Sequence, residues 1–171
     1  IQVIYNFVDL ARFKRKPLNH FREAIAPNGE KILLHVSNFR SIKRVEDVVY
    51  IFKKIHDELP SKLLLIGDGP DRPKIEDLCR KIGICNDIRF VGKQEQLEDV
   101  LAVTDLFLLP SEYESFGLAA LEAMASEVPV ISSNAGGLPE ININGETGFL
   151  SPVGDVAHMA AHAIQLLSDD D

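Results

Sequence analysis

Short, wholly apolar runs alternate with amphipathic stretches along nearly the full length of this chain. That alternation limits the folds open to it more than any single motif does. Residues 31–36, 62–66, 88–91, 106–109 and 128–132 read as strands, with a shorter one at 148–150. Several lack the polar–apolar alternation of a sheet with one wet face; Leu106, Phe107, Leu108 and Leu109 form such a run. Strands buried on both faces, as in parallel sheets, have this pattern. Between them, residues 45–58, 72–82, 96–102, 118–126 and 156–167 read as helices. In the first, Val45, Val48, Val49, Phe52 and Ile55 recur on one face, and Lys53, Lys54, Asp57 and Glu58 take the other. Parallel strands joined by helices require right-handed βαβ crossovers. The predicted class is therefore α/β, a Rossmann-like parallel sheet flanked by helices. The 171 residues suffice for one such domain with its own core, and no second domain, repeat or low-complexity tract is visible. Residues 1–13 read as a linker or edge strand leading into the domain, with turn-prone Asn6 and Asp9. Asp169, Asp170 and Asp171 read as a frayed end, and Ile1 in place of Met as the start of an excised fragment.

Charge and composition remove several function classes. A net charge of −8 argues against the basic stripe that a nucleic-acid or anionic-membrane surface needs, though it leaves room for one local basic pocket. No apolar run approaches the roughly 20 residues needed to span a bilayer. Cys79 and Cys85 match no zinc or redox spacing and read as reduced thiols in a cytoplasmic protein. His158 and His162 lie four apart on a helix, a spacing that can bind metal, but with no third ligand or acidic partner noted beside them no metal is expected. His35, in an apolar strand, reads as a core histidine with its hydrogen bonds satisfied.

In an open α/β sheet, ligands lie beyond the carboxyl ends of the strands. The segments that follow the strands here are 37–44, 67–70, 92–94, 110–117 and 133–140, and they hold most of the unusual local chemistry. Glu114 and Glu122 are eight residues apart; on a helix that is about 12 Å of rise and a rotation of about 80°. Two carboxylates so placed could grip hydroxyls at the two ends of an elongated ligand. Backbone N–H groups at a helix start near Phe116 and Gly117 could meet a phosphate between them, with Gly117 permitting close approach. The alternative is that Glu114 is an acid favoured by the helix dipole and Glu122 a surface residue. Glu122 sits among Leu118, Ala119, Ala120, Leu121, Ala123, Met124 and Ala125, where a buried charge needs a partner. Arg40 and Lys43 follow one strand and precede a helix. Two fixed cations there can neutralise a diphosphate and stabilise it as it leaves, or can merely open a helix; Arg44 is a third cation beside them. The Gly67-Asp68-Gly69-Pro70 turn lacks the third glycine of a dinucleotide fingerprint, since Arg72 holds that place, so NAD is rejected.

The Glu114-x7-Glu122 pattern, followed by Ala123-Met124-Ala125, resembles the donor-binding C-terminal domain of GT-B retaining glycosyltransferases of family 4. The resemblance covers nearly the whole chain. It takes in Val3-Ile4-Tyr5-Asn6-Phe7-Val8-Asp9, Gly67-Asp68-Gly69-Pro70, Phe90-Val91-Gly92, Gly136-Gly137-Leu138-Pro139-Glu140 and Asn144-Gly145-Glu146-Thr147-Gly148-Phe149-Leu150. Each piece is weakly specific; their order and spacing together are highly specific. The resemblance implies one half of a GT-B fold, with the donor in a cleft between two halves. The acceptor would be held mainly by an N-terminal domain that, like a final C-terminal segment, lies outside these residues, and the isolated fragment would be inactive.

The implied reaction is hexosyl transfer from a UDP-sugar to an acceptor hydroxyl with retained anomeric configuration. By the same resemblance, Arg40 and Lys43 hold the donor phosphates and Glu114 orients sugar hydroxyls, which makes these three the catalytic set. Gly67 lies near the phosphates, Lys93 and Gln94 border the uracil, and Ser115, Phe116, Gly117 and Leu118 meet the donor at the helix start. Glu122 accepts the ribose diol. The Gly136-Gly137 turn shapes a floor beneath the donor. No residue is an obvious general base, the donor phosphate helping to remove the acceptor proton, and no cofactor or metal is required. Many members of the family have Gly where this chain has Arg44. The form of residues 38–44 is most similar to the bacterial branch that joins N-acetylglucosamine to L-malate in bacillithiol synthesis, which implies UDP-N-acetylglucosamine and L-malate as substrates. Two alternatives stay open: a non-catalytic nucleotide-sugar-binding domain, and a GT-B relative such as an epimerase or a phosphorylase with a lysine-bound pyridoxal cofactor.

Overall fold

The computed structural model describes residues 6–169. Six strands form one sheet: β1 (Lys31–Val36), β2 (Ser61–Ile66), β3 (Ile88–Gly92), β4 (Leu106–Leu109), β5 (Val130–Ser133) and β6 (Gly148–Ser151). Every pairing is parallel and the order is β3-β2-β1-β4-β5-β6. The helices are α1 (Asn19–Ile25), α2 (Val45–His56), α3 (Arg72–Lys81), α4 (Leu97–Leu101), α5 (Leu118–Ala125), α6 (Leu138–Ile141) and α7 (Val156–Ser168).

The strands are apolar throughout because both faces are covered. Leu33, Leu63, Leu65, Leu106 and Leu108 point into one layer, against Val48 and Phe52 of α2, Ile75 of α3 and Met159 of α7. Their neighbours Ile32, Leu34, Leu64, Phe107 and Leu109 point the other way, against Ile25, Leu101, Ala120 and Leu138. A leucine taken wholly out of water in this way contributes about 1.5–3 kcal/mol.

The elements match the sequence expectations with local differences. The fifth strand begins at Val130 rather than at 128. Val128 donates its N–H to Ala123 O at 3.0 Å, as part of the end of α5, and Pro129 has no N–H to give. Residues 6–13 form no edge strand; the backbone N–H of Ala11 bonds Asp9 Oδ1 at 2.8 Å and that of Phe13 bonds Asp9 O at 2.9 Å, closing a turn. The rest of the expected lead-in, residues 1–5, and the expected frayed end at 170–171 lie outside the described residues. Helix α1 had no counterpart in the sequence reading: of its seven residues only Ile25 is buried, so it shows no apolar stripe. Among the described residues no helix is long and apolar enough to cross a membrane.

The strand order fixes where a ligand can sit. From β1 the chain steps outward to β2 and β3, then returns to β4 on the other side of β1. The crossovers that follow β1 and β4 therefore run to opposite sides, and the carboxyl ends of these two strands are the switch point at which open α/β sheets hold ligands.

Candidate functional site

That switch point is flanked by the two segments in which the sequence concentrates charge. After β1, Ser41–Lys43 make a 3₁₀ turn, and Arg44 at φ 49°, ψ 46° swings the chain into α2. After β4 the chain runs through Pro110 and buried Ser111 to Glu114. Glu112 N donates to Ile42 O at 2.8 Å, so the two loops are stitched by backbone. Beside that stitch Lys43 Nζ lies 2.6 Å from Glu114 Oε1, with 20% and 14% of the respective side chains exposed. Ser111 Oγ donates to the same oxygen at 3.0 Å. Glu114 Oε2 accepts no hydrogen bond among the described residues, so one oxygen is fixed and the other is open to a ligand.

The glycine turn after β5 forms the floor of this arrangement. Gly136 has φ +60°, and a Cβ there would fall 1.9 Å from Glu114 O. Gly137 N donates to that same oxygen at 2.8 Å. Ser133 Oγ donates to Ser111 O. The Glu114 backbone can take its place only because no side chain grows from residue 136.

The cations divide their work. Lys43 faces Glu114. Arg44 turns away, with Nε 2.6 Å from Asp47 Oδ2 in the first turn of α2. Its left-handed backbone is one glycine adopts freely and an L-residue enters at a cost of about 1–2 kcal/mol. Arg40 is exposed, and its side chain has no hydrogen bond or ion pair among the described residues. Facing them, α5 begins at Gly117, φ +89°, with no side-chain cap. Its first N–H groups are open to an anion. Ser115 and Leu118 are exposed and Phe116 is half-buried at this end.

Glu122 is half-buried further along α5 and makes no side-chain hydrogen bond or ion pair among the described residues. Burial pushes its pKa up; Arg12 offsets this in part and Glu98 adds to it. The partner expected for a charge in so apolar a helix is not there. Arg12 Nη2 instead donates to Glu98 Oε2 at 2.9 Å and to Glu95 O at 3.0 Å. A partly desolvated carboxylate without a donor is suited to receive hydroxyl groups from a ligand.

The sequence profile of the glycosyl transferases group 1 family matches residues 18–171. The chain belongs to that family. N-acetyl-alpha-D-glucosaminyl L-malate synthase of Bacillus anthracis is 48% identical over 172 residues, covering 100% of this chain and 45% of that protein. Sucrose-phosphate synthase of Thermosynechococcus elongatus superimposes with a TM-score of 0.83 at 31% identity, over 95% of this chain and 42% of that one. Anabaena HepE, crystallised with UDP and glucose, has a TM-score of 0.88 at 24% identity, over 98% of this chain and 47% of that one, a likeness of fold. The glycosyltransferase chain described here spans less than half the length of the curated relatives it matches, and its sheet is one half of a GT-B fold.

The remaining candidate residues of the glycosyltransferase domain fall on the same rim or in its supports. Gly67, φ +119°, holds two loops together: a Cβ on it would lie 1.8 Å from Ser37 O, and its N–H is given to Gly92 O at 2.9 Å. It offers a ligand neither its N–H nor an open face. Lys93 and Gln94 are exposed beyond β3, the edge strand, and Gln94 Nε2 bonds Val91 O at 3.1 Å. His35 is the satisfied core histidine expected, its Nδ1 2.8 Å from Leu108 O and its Nε2 2.8 Å from Ser37 Oγ. Burial lowers its pKa to about 4. His158 does have an acidic partner, contrary to the sequence reading: its Nδ1 lies 2.6 Å from Asp155 Oδ2, the helix cap three residues back. His162 stacks on Phe149 instead, ring centroids 4.4 Å apart, and no group of three metal-ligating side chains occurs among the described residues. Cys79 is buried and Cys85 exposed, both free, and burial pushes the Cys79 thiol up to about 12. The Arg12–Glu98 pair was missed: its members lie 86 residues apart, and no local pattern joins them.

Proposed function

We propose that this domain holds UDP-N-acetylglucosamine for retaining transfer of the sugar to a hydroxyl of a small acceptor, L-malate. The acceptor is held mainly by the half of the enzyme that the curated relatives carry beyond this stretch. The relation to a Bacillus anthracis protein named for that synthesis supports the choice of substrates.

The observation that carries the reading is the contact between Lys43 and Glu114 at the switch point, with unengaged Arg40 and the uncapped start of α5 beside it. As the bond from the anomeric carbon to the β-phosphate oxygen breaks, negative charge grows on UDP. Arg40, Lys43 and the N–H groups near Leu118 offset it. Glu114 Oε2 accepts sugar hydroxyls and Glu122 the ribose diol, while Lys93 and Gln94 border the uracil. The acceptor oxygen bonds to the anomeric carbon on the face the leaving group vacates, and its proton passes to the departing phosphate. Two cations and a helix start supply the charge stabilisation, so the scheme invokes no metal or cofactor. Water-soluble substrates of this kind fit a cytoplasmic enzyme. The 171 residues alone bind UDP weakly and transfer nothing.

The test is an assay of the full-length protein, both halves together, against a panel of UDP-sugars with L-malate, the product's anomeric configuration being read by NMR. An α-linked N-acetylglucosaminyl malate is expected. Transfer from a different donor only, an inverted product, or no turnover of any UDP-sugar overturns the reading.

A further inference from the structure

His35 is a fully buried residue of β1 whose ring reaches Leu108 of β4, the other strand whose loop makes the site, and no step of the reaction uses it. Its hydrogen bonds have a direction. Leu108 O can only accept, so Nδ1, 2.8 Å away, carries the ring proton. In the neutral ring Nε2 is then an acceptor, and Ser37 Oγ, 2.8 Å from it, must donate. Ser37 Oγ in turn receives the N–H of Phe39 at 3.3 Å. The ring of Phe39 stacks over that of His35 with centroids 6.4 Å apart. Phe39 itself has φ 39°, a conformation that a bulky residue keeps only where its surroundings hold it.

We propose that His35 and Ser37 are positioning residues: a relay from Phe39 N–H through Ser37 and His35 to Leu108 C=O locks the loop that presents Arg40 and Lys43 to the donor diphosphate. The proposal rests on the donor reading above. The relay ties the last turn of β1 to the end of β4, and so sets the separation of the two loops between which the phosphates lie. The neighbouring loop is fitted to the same segment. Asp71 N donates to Phe39 O at 3.0 Å, and Gly69 lies so close that a Cβ on it would meet Asn38 O at 1.9 Å. The charged groups that act on His35 are Lys43 and Glu114, of opposite sign. In a neutral relay every polar atom is satisfied; a proton on Nε2 would turn the Ser37 hydroxyl from donor to acceptor and take this partner from its O–H.

The experiment uses the full-length protein, with UDP and uridine titrated by calorimetry and folding checked by thermal melting. Ser37 is only half-buried, so Ser37→Ala keeps the fold. It weakens UDP on the order of tenfold and leaves uridine, which has no phosphate, unchanged. Because the relay acts through the loop cations, Lys43→Ala costs less UDP affinity on top of Ser37→Ala than it does alone. His35→Gln offers an amide oxygen to the Ser37 hydroxyl and retains most of the affinity for UDP. Equal losses for UDP and uridine, additive effects of Ser37→Ala and Lys43→Ala, no loss in Ser37→Ala, or a His35→Gln chain as weak as Ser37→Ala each overturn the proposal. If Lys43→Ala alone leaves UDP binding untouched, it is the donor reading that fails, and the relay falls with it.

Discussion

Lys43 and Glu114 are 71 residues apart in sequence, yet one hydrogen bond of 2.6 Å joins them where the loops after β1 and β4 meet. The cation proposed to meet the diphosphate is thus held by a carboxylate beforehand, and on that reading an incoming phosphate competes for it. Two substitutions separate the roles. Lys43→Ala removes a charge-assisted contact and weakens UDP by roughly 10- to 100-fold. Glu114→Gln removes the competitor, so UDP binds at least as tightly, while turnover falls by about 10²-fold for want of the group that orients the sugar. Calorimetry with UDP alongside steady-state kinetics decides it. A Glu114→Gln chain that loses UDP affinity as Lys43→Ala does would remove Glu114 from the sugar.

Glu122 is assigned to the ribose, so Glu122→Ala weakens UDP on the order of tenfold and leaves free uracil unaffected. Equal losses for both ligands would place the carboxylate elsewhere. Its stability signature is separate. Burial holds the native pKa of Glu122 above that of the unfolded chain, so the native state keeps this proton longer. Stability therefore falls as pH rises through the window between the two values. Glu122→Gln lacks the penalty. Its melting temperature matches the parent's near pH 4 and exceeds it at pH 7. A parent that gains on the variant as pH rises would mean that the carboxylate has a donor in the folded protein.

His35 has the opposite consequence. It is neutral in the native state with a pKa of about 4, against 6.5 for an unperturbed histidine. The unfolded chain binds a proton that the folded chain refuses between those values. The contribution is present above pH 6.5 and is lost on acidification towards pH 4, about 3 kcal/mol over the whole window. Urea denaturation from pH 7.5 to 4.5 should show this slope, and His35→Gln should flatten it. An unchanged slope in the variant would show that His35 is not the group responsible.

Much of the fold could be read from residue type, because β4 and its neighbours are apolar on both faces and only a covered parallel sheet asks for that. Helix α1 could not, since it buries only Ile25 and carries no stripe. The chemistry after β1 and after β4 was legible for the same reason as the sheet: a buried strand followed within a few residues by Arg40 and Lys43, or by Glu114, is unusual. That the two ends meet depends on β4 returning beside β1, a long-range choice that no window of sequence contains. The relay through His35 and the clasp of Arg12 on Glu98 are invisible for that reason, their partners lying 73 and 86 residues away. Asp155 beside His158 was within local reach and was overlooked, being the helix cap rather than a member of the helix.

The floor beneath Glu114 gives the last prediction, and a second glycine serves as its control. Gly136 at φ +60° and Gly83 at φ +76° both have left-handed backbones, so alanine at either is strained by about 1 kcal/mol. Around Gly83 a Cβ meets nothing within 4 Å, whereas at Gly136 it would lie 1.9 Å from Glu114 O and must push that backbone aside. Gly136→Ala should therefore lose a further 1–3 kcal/mol or so from overpacking, and also lose turnover, because the displaced residue carries the carboxylate proposed to orient the sugar. Gly83→Ala should lose stability alone, with kcat intact. Denaturant midpoints and kcat for the two variants test both halves. If both keep full turnover, the exact seat of the Glu114 backbone does not matter to the chemistry, and the floor serves stability only.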